Sequence, residues 1–168
     1  LNKRVVNFVY EAMECHGGAG YIEESILPRL FRQSPLNSIW EGSGNVICLD
    51  VLRALTREPD TADALFDELD KARGAYATLD NAIDAAKQSL ATATEPSARR
   101  LVETLALALQ ASLLAQHAPS AVADGFIATR LGEEPWRTYG AFEAEIDVSA
   151  IVARAMPVYT SDAEQCRA

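Results

Sequence analysis

Apolar residues recur at intervals of three and four positions along nearly the whole chain, which is the pattern of amphipathic helices packed on one another. Glycine and proline clusters interrupt this pattern and set the expected helix ends, because both residues are costly inside a helix. No run of alternating apolar and polar residues indicates a β-strand. The sequence therefore predicts an all-α helical bundle. The predicted helices cover residues 5–16, 23–32, 45–57, 59–74, 79–90, 97–117, 121–131 and 147–156.

The longest predicted helix, residues 97–117, would extend about 30 Å at 1.5 Å per residue. After a charged start it is apolar on nearly all sides, so we expect it at the centre of the bundle. We divide the chain into residues 1–58, which carry the conspicuous motifs, and residues 59–168, a helical extension. Asp60 or Thr61 is the expected cap of the first helix in that extension.

The formal charge of −9 is unevenly distributed, with −2 on residues 1–60 and −7 on residues 61–168. A broad nucleic-acid surface needs clustered lysine and arginine, so the acidic extension counts against one. The most apolar stretch, residues 101–115, is too short and too polar to span a bilayer, and no membrane partner is expected. The three cysteines form no Cys-x-x-Cys pair, which favours a reducing, cytoplasmic environment. Neither histidine has metal-ligand spacing.

A first candidate segment is the glycine-rich run of residues 16–21, His-Gly-Gly-Ala-Gly-Tyr. Glycine lacks a side chain and tolerates positive φ, so backbone N–H groups there can approach a bulky anion such as a diphosphate. No strand precedes the run, so it is not the dinucleotide-binding fingerprint. A simple helix end is the alternative interpretation, with Tyr21 in the core.

A second candidate segment is residues 38–45, Ser-Ile-Trp-Glu-Gly-Ser-Gly-Asn. Glu41 follows Trp40, and an aromatic neighbour can raise the pKa of a carboxyl group toward the range of a general base. Alternatively, Ser43 or Asn45 caps the next helix and Glu41 merely favours its N-terminus. On spacing alone, the capping interpretation is the simpler one.

Taken together, the two segments resemble the carboxy-terminal helical domain of acyl-CoA dehydrogenases, most closely the alkylation-response (AidB-like) branch. The resemblance rests on residues 11–21, the Leu-Pro-Arg-Leu-Phe-Arg run at 27–32, and residues 37–45 followed by Leu-Asp-Val-Leu-Arg at 49–53. It is specific over residues 5–55 and weak beyond residue 60. Because the chain starts without methionine and its strongest motifs lie in its first third, we expect it to be part of a larger flavoprotein. The resemblance implies an amino-terminal helical domain and a middle β domain that form much of the flavin pocket and that this sequence lacks, so we expect it to bind FAD weakly and be inactive by itself.

The resemblance implies roles for particular residues. Gly17, Gly18 and Gly20 would contact the ADP part of FAD, in many members from a neighbouring subunit. Ser43 and Asn45 would contact FAD near its adenosine end. Glu41 would be the base that removes the α-proton of an acyl-CoA thioester. For both segments to serve one flavin site, the two turns must meet in the folded protein.

The resemblance also implies a reaction and partners. The β-hydride would pass to the flavin, giving a 2,3-enoyl thioester, and electron-transfer flavoprotein is a candidate acceptor. The family forms dimers or tetramers. One departure concerns Glu14, where many members have glutamine, because a carboxylate there disfavours a nearby phosphate.

Two other functions stay open on the sequence. The first is a non-catalytic flavoprotein that protects DNA, as the alkylation-response branch is associated with DNA protection. The acidity of residues 61–168 counts against it, and a DNA titration at low salt would test it. The second is a helical interaction or oligomerisation module whose motifs are vestigial.

Overall fold

The computed structural model describes residues 2–40, 42–132, 138–141 and 145–157. Within these residues the regular structure is helical and contains no β-strand, which confirms the predicted all-α class. The helices are α1 Asn2–Cys15, α2 Gly18–Tyr21, α3 Leu27–Gln33, α4 Gly44–Arg57, α5 Pro59–Asp70, α6 Ala77–Ala91, α7 Ala98–His117, α8 Ser120–Leu131 and α9 Val148–Ala155, with short 3-10 turns at Leu36–Ser38 and Glu95–Ser97. None of these helices combines the length and the apolar character needed to cross a membrane.

Helix α7 is the centre of the bundle, because α4, α5, α6 and α8 all pack against it. Its predicted central position is therefore confirmed. Two clusters of buried side chains surround it. The inner cluster joins α5, α6, α7 and α8 and contains Leu69, Ala72, Leu79, Ile83, Ala108, Ala111 and Ile127. The α4 cluster joins α4, α6 and α7 and contains Leu52, Leu55, Ala86, Ala98, Leu101 and Leu105.

Helices α1, α2 and α3 form a separate layer, in which α1 packs against the other two. Met13 is the buried residue of α1, so this layer has little core of its own. Tyr139 lies between the layer and the bundle. Its ring contacts the Phe8 ring edge-on at 6.3 Å, and the guanidinium groups of Arg4 and Arg130 lie 6.0 and 5.8 Å from its centroid.

Helix α4 belongs to the bundle as much as to the amino-terminal part of the chain. Its buried leucines share the α4 cluster with residues of α6 and α7. The division at residues 58 and 59 stays a prediction, but the two parts share one core across it.

Three details of the sequence analysis are wrong. The helix expected over 23–32 begins only at Leu27, because Pro28 occupies its first turn, where a missing N–H is tolerated. Neither Asp60 nor Thr61 caps α5. Proline at position 59 starts that helix, so Glu58 is its N-cap. Tyr21, expected in the core, is 78% exposed.

Asp70 lies in an ion-pair network that joins α5 to α6. Its carboxylate is 2.9 Å from Lys87 Nζ and 3.0 Å from Arg73 Nε, and Arg73 also reaches Asp84 at 2.9 Å. The hydrogen bond from Lys87 is the main cause that lowers the pKa of Asp70; desolvation opposes it and the bond from Arg73 adds to it. The folded state therefore favours the ionised carboxylate.

We expect Asp70→Asn to reduce the decrease in the free energy of unfolding that accompanies a change from pH 7 to pH 3. A carboxyl group with a lowered folded-state pKa contributes stability above its ordinary value of 3.8 and loses it as pH falls through the folded-state value. The contribution is at most about 1 kcal/mol, because the charged groups are more than a third exposed. Urea unfolding at pH 7 and pH 3 measures it, with exposed Asp67→Asn as the control. If the free energy of unfolding fell equally between pH 7 and pH 3 in wild type and in Asp70→Asn, the prediction would be contradicted.

Candidate functional site

The first candidate segment is a bend followed by one helical turn. Helix α1 ends at Cys15, and Gly17 takes a φ of +57°, which favours glycine strongly over other residues. The bend closes through hydrogen bonds from Gly17 N–H to Glu14 O at 2.9 Å and from Gly20 N–H to Gly17 O at 3.0 Å. Gly17 and Gly18 are exposed, and a Cβ on either would meet no atom within 4 Å. This part of the backbone is open to a bulky ligand.

Gly20 differs from its neighbours because it is buried against α1. A Cβ at this position would lie 2.2 Å from the carbonyl oxygen of Met13. The residue is therefore required for α2 to pack on α1. Sequence reasoning assigned all three glycines to a cofactor, but the structure gives Gly20 a packing role, and its contact with FAD stays a prediction.

We expect Gly20→Ala to destabilise the amino-terminal layer and Gly18→Ala to leave it intact. The new Cβ of Gly20→Ala meets backbone atoms, which cannot move aside as a flexible side chain can. Overpacking of this kind costs about 1–3 kcal/mol. Hydrogen exchange of the amides in residues 13–22 would measure the effect. Equal exchange in the two variants would contradict it.

A surface depression of about 470 Å³ lies beside the bend. Its lining residues are Met13, Tyr21, Ile22, Glu23, Pro28, Phe31 and Arg32. Arg32 donates to Glu23 through two hydrogen bonds, of 2.5 and 3.3 Å, and the pair is solvent-exposed. The bond from Arg32 lowers the pKa of Glu23, in opposition to desolvation. The depression thus has an apolar floor and a charged rim on which Arg32 and Glu23 neutralise each other.

The second candidate segment leads into α4. Glu41 lies outside the described residues. Ser43 is the N-cap of α4 by position, but its side chain makes no capping hydrogen bond, while its carbonyl accepts the Ile47 N–H at 3.1 Å. Asn45 is exposed in the first turn. The polar groups of Ser43 and Asn45 therefore face solvent, where they are available to a ligand.

The two segments do not meet within one chain, which corrects the expectation that they would. The second segment lies beside the start of α1: Asn2 Nδ2 donates to Asn37 O at 3.3 Å, and the Lys3 side chain lies against Gly44. The glycine bend follows the other end of α1. A helix of 14 residues separates them by about 20 Å. The two segments stay apart because α1 is a rigid helix between them.

Sequence reasoning missed the exposed apolar surface of this region. Large apolar side chains that are at least 40% exposed are concentrated between residues 8 and 47: Phe8, Tyr10, Tyr21, Ile22, Ile26, Leu30, Leu36, Ile39, Trp40, Val46 and Ile47. Periodicity could not reveal this, because it shows that a face is apolar and not whether a partner covers it. Over the described ranges, no group of three or more His, Cys, Asp or Glu could hold a metal ion.

Comparison with known proteins gives a family match over the part of the chain that forms α1 to α4. The family model "Acyl-CoA dehydrogenase, C-terminal domain" matches residues 1–56. The chain is 46% identical over 105 residues to "Putative acyl-CoA dehydrogenase AidB" of Escherichia coli (strain K12), covering 62% of this chain and 19% of that protein. It is 33% identical over 108 residues to "Acyl-CoA dehydrogenase family member 11" of Caenorhabditis elegans, covering 64% and 18%.

The chain thus spans about a fifth of the length of these curated relatives. Both matches are much longer than the 56 residues of the family model, so they extend into the helical extension. The sequence analysis found only a weak resemblance there. These relatives therefore share part of the helical extension with this chain.

Proposed function

Because this chain belongs to the acyl-CoA dehydrogenase family, with residues 1–56 in the family's C-terminal domain, we propose that it is part of an FAD-dependent enzyme. The enzyme would remove hydrogen from the α and β carbons of acyl-CoA thioesters. The observation that carries the proposal is the occurrence, within that domain, of an open glycine bend and an exposed polar turn at the start of α4.

The described residues fit FAD. Gly17 and Gly18 leave space for a diphosphate against their backbone, and Ser43 and Asn45 offer uncommitted polar side chains. FAD would supply the hydride acceptor when bound. The chain's own contribution would be to hold the cofactor and, through Glu41, to accept the α-proton of the thioester. These assignments rest on the family resemblance and, for Gly17, Gly18, Ser43 and Asn45, on the exposure of the residues.

We further propose that two copies complete each flavin site. The glycine bend and the start of α4 are about 20 Å apart along α1, so the bend of one copy would serve the α4 turn of another. The exposed apolar side chains between residues 8 and 47 support such an assembly, because large apolar patches mark protein–protein contacts. A dimer or tetramer is the expected state.

The flavin spectrum of the full-length protein tests the proposal. Anaerobic addition of acyl-CoA thioesters of different chain lengths should bleach the visible absorption of the oxidised flavin for at least one of them. The matching free acids, which lack the thioester, are the control and should not bleach it. A purified protein that binds no FAD, or whose flavin no thioester reduces, would contradict the proposal.

A further inference from the structure

Helix α4 is buried in its second half and exposed in its first turn. Leu52 and Leu55, in its second half, are buried in the α4 cluster. Asn45, Val46 and Ile47, in its first turn, are exposed. Cys48 and Leu49, which follow the first turn, are partly buried against the α4 cluster. The first turn, which carries the proposed cofactor contacts, is therefore the exposed end of the helix.

The buried half of α4 rests on the extension. Leu101 and Leu105 of α7 are 2% and 5% exposed in the α4 cluster. Interiors packed in this way are dense and transmit displacement. Because an α-helix of 14 residues bends little, the orientation of the second half of α4 determines the orientation of its first turn.

The amino-terminal layer supports this turn through flexible contacts. It contacts the first turn of α4 through the Lys3 side chain, which lies against Gly44, and the end of a lysine side chain is flexible. Asn2 bonds to Asn37, which precedes the turn. The buried leucines of α7 are the stiffer support.

We infer that Leu101 and Leu105 are positioning residues, through which the helical extension aims the first turn of α4, with Ser43 and Asn45, at the flavin site. The inference rests on the proposed function for its flavin part. It gives the extension a role in the site although it contributes no residue that touches the cofactor. The matches to relatives, which continue past residue 56, agree with a shared role.

Two leucine variants of the full-length protein test this inference. Leu105→Ala opens a cavity against α4, whereas Leu79→Ala opens one in the inner cluster, which contains no residue of α4. Both should lower the Tm. Only Leu105→Ala should accelerate hydrogen exchange of the amides in residues 44–50. It should also weaken FAD binding roughly tenfold, as the loss of an outer-shell support does at metal sites.

A rescue variant separates positioning from folding. Leu105→Met conserves volume and should restore both the slow exchange and the FAD affinity. If Leu105→Ala does not fold, Leu105→Val and Leu79→Val make the same comparison with smaller cavities. If the amides of residues 44–50 exchanged equally fast in the Leu105 and Leu79 variants, the inference would be overturned. If wild type binds no FAD, the proposed function fails, and selective acceleration in Leu105→Ala still supports the positioning of α4.

Discussion

Glu41→Gln, introduced into the full-length protein, is expected to slow the reduction of flavin by acyl-CoA by a factor of about 10²–10⁴, the usual contribution of a general base. The carboxamide has nearly the same shape as the carboxylate but cannot accept the α-proton. The FAD content and the Tm should stay unchanged, because glutamine keeps the volume and the polarity of the side chain. Rapid-mixing measurements of flavin absorbance under anaerobic conditions would give the rate.

Glu24→Gln provides the control for the charge change. Glu24 is exposed and lies outside both candidate segments. The rate of this variant should equal that of wild type. If Glu41→Gln reduced flavin at the wild-type rate, Glu41 would not be the base. If both variants lost the same activity, the effect would be one of net charge and not of proton transfer.

The bundle helices were predictable because their signals are local. The pattern of residues 97–117 predicted α7, which the structure places at Ala98–His117, and residues 45–57 predicted α4 at Gly44–Arg57. Both segments are long, strongly periodic and bounded by glycine, proline or polar turns. The prediction of the N-cap of α5 was wrong because the N-cap is the residue before the first one with helical dihedral angles. Pro59 is that first helical residue, so Glu58 is the N-cap.

The geometry of the candidate site was not predictable to the same degree. The motifs identified Gly17, Gly20 and Ser43, but the separation of the two segments depends on where the chain returns after α3. The hydrogen bond between Asn2 and Asn37 joins residues 35 positions apart, and no local pattern encodes it. The contact of Gly20 with α1 is likewise a tertiary one.

The exposed apolar surface connects these findings. A bundle that buries Leu69, Leu79 and Ile83 completely has no need of the layer formed by α1 to α3 for its own core. That layer instead exposes Phe8, Tyr10, Tyr21 and Leu30 while it carries the glycine bend. Burial of this surface in an assembly would stabilise the layer and would also bring a second copy to each proposed flavin site.

Leu69→Ala is expected to lower the free energy of unfolding by about 2–5 kcal/mol, the range for a large-to-small change in a closed core. Leu69 is fully buried in the inner cluster, and its carbonyl accepts the Ser112 hydroxyl at 3.1 Å. At roughly 2–4 °C per kcal/mol, the Tm should fall by about 4–20 °C. Leu113→Ala removes the same atoms from a 39% exposed side chain on α7 and should cost less than about 1 kcal/mol. Similar melting curves for the two variants would show that the bundle does not close around Leu69.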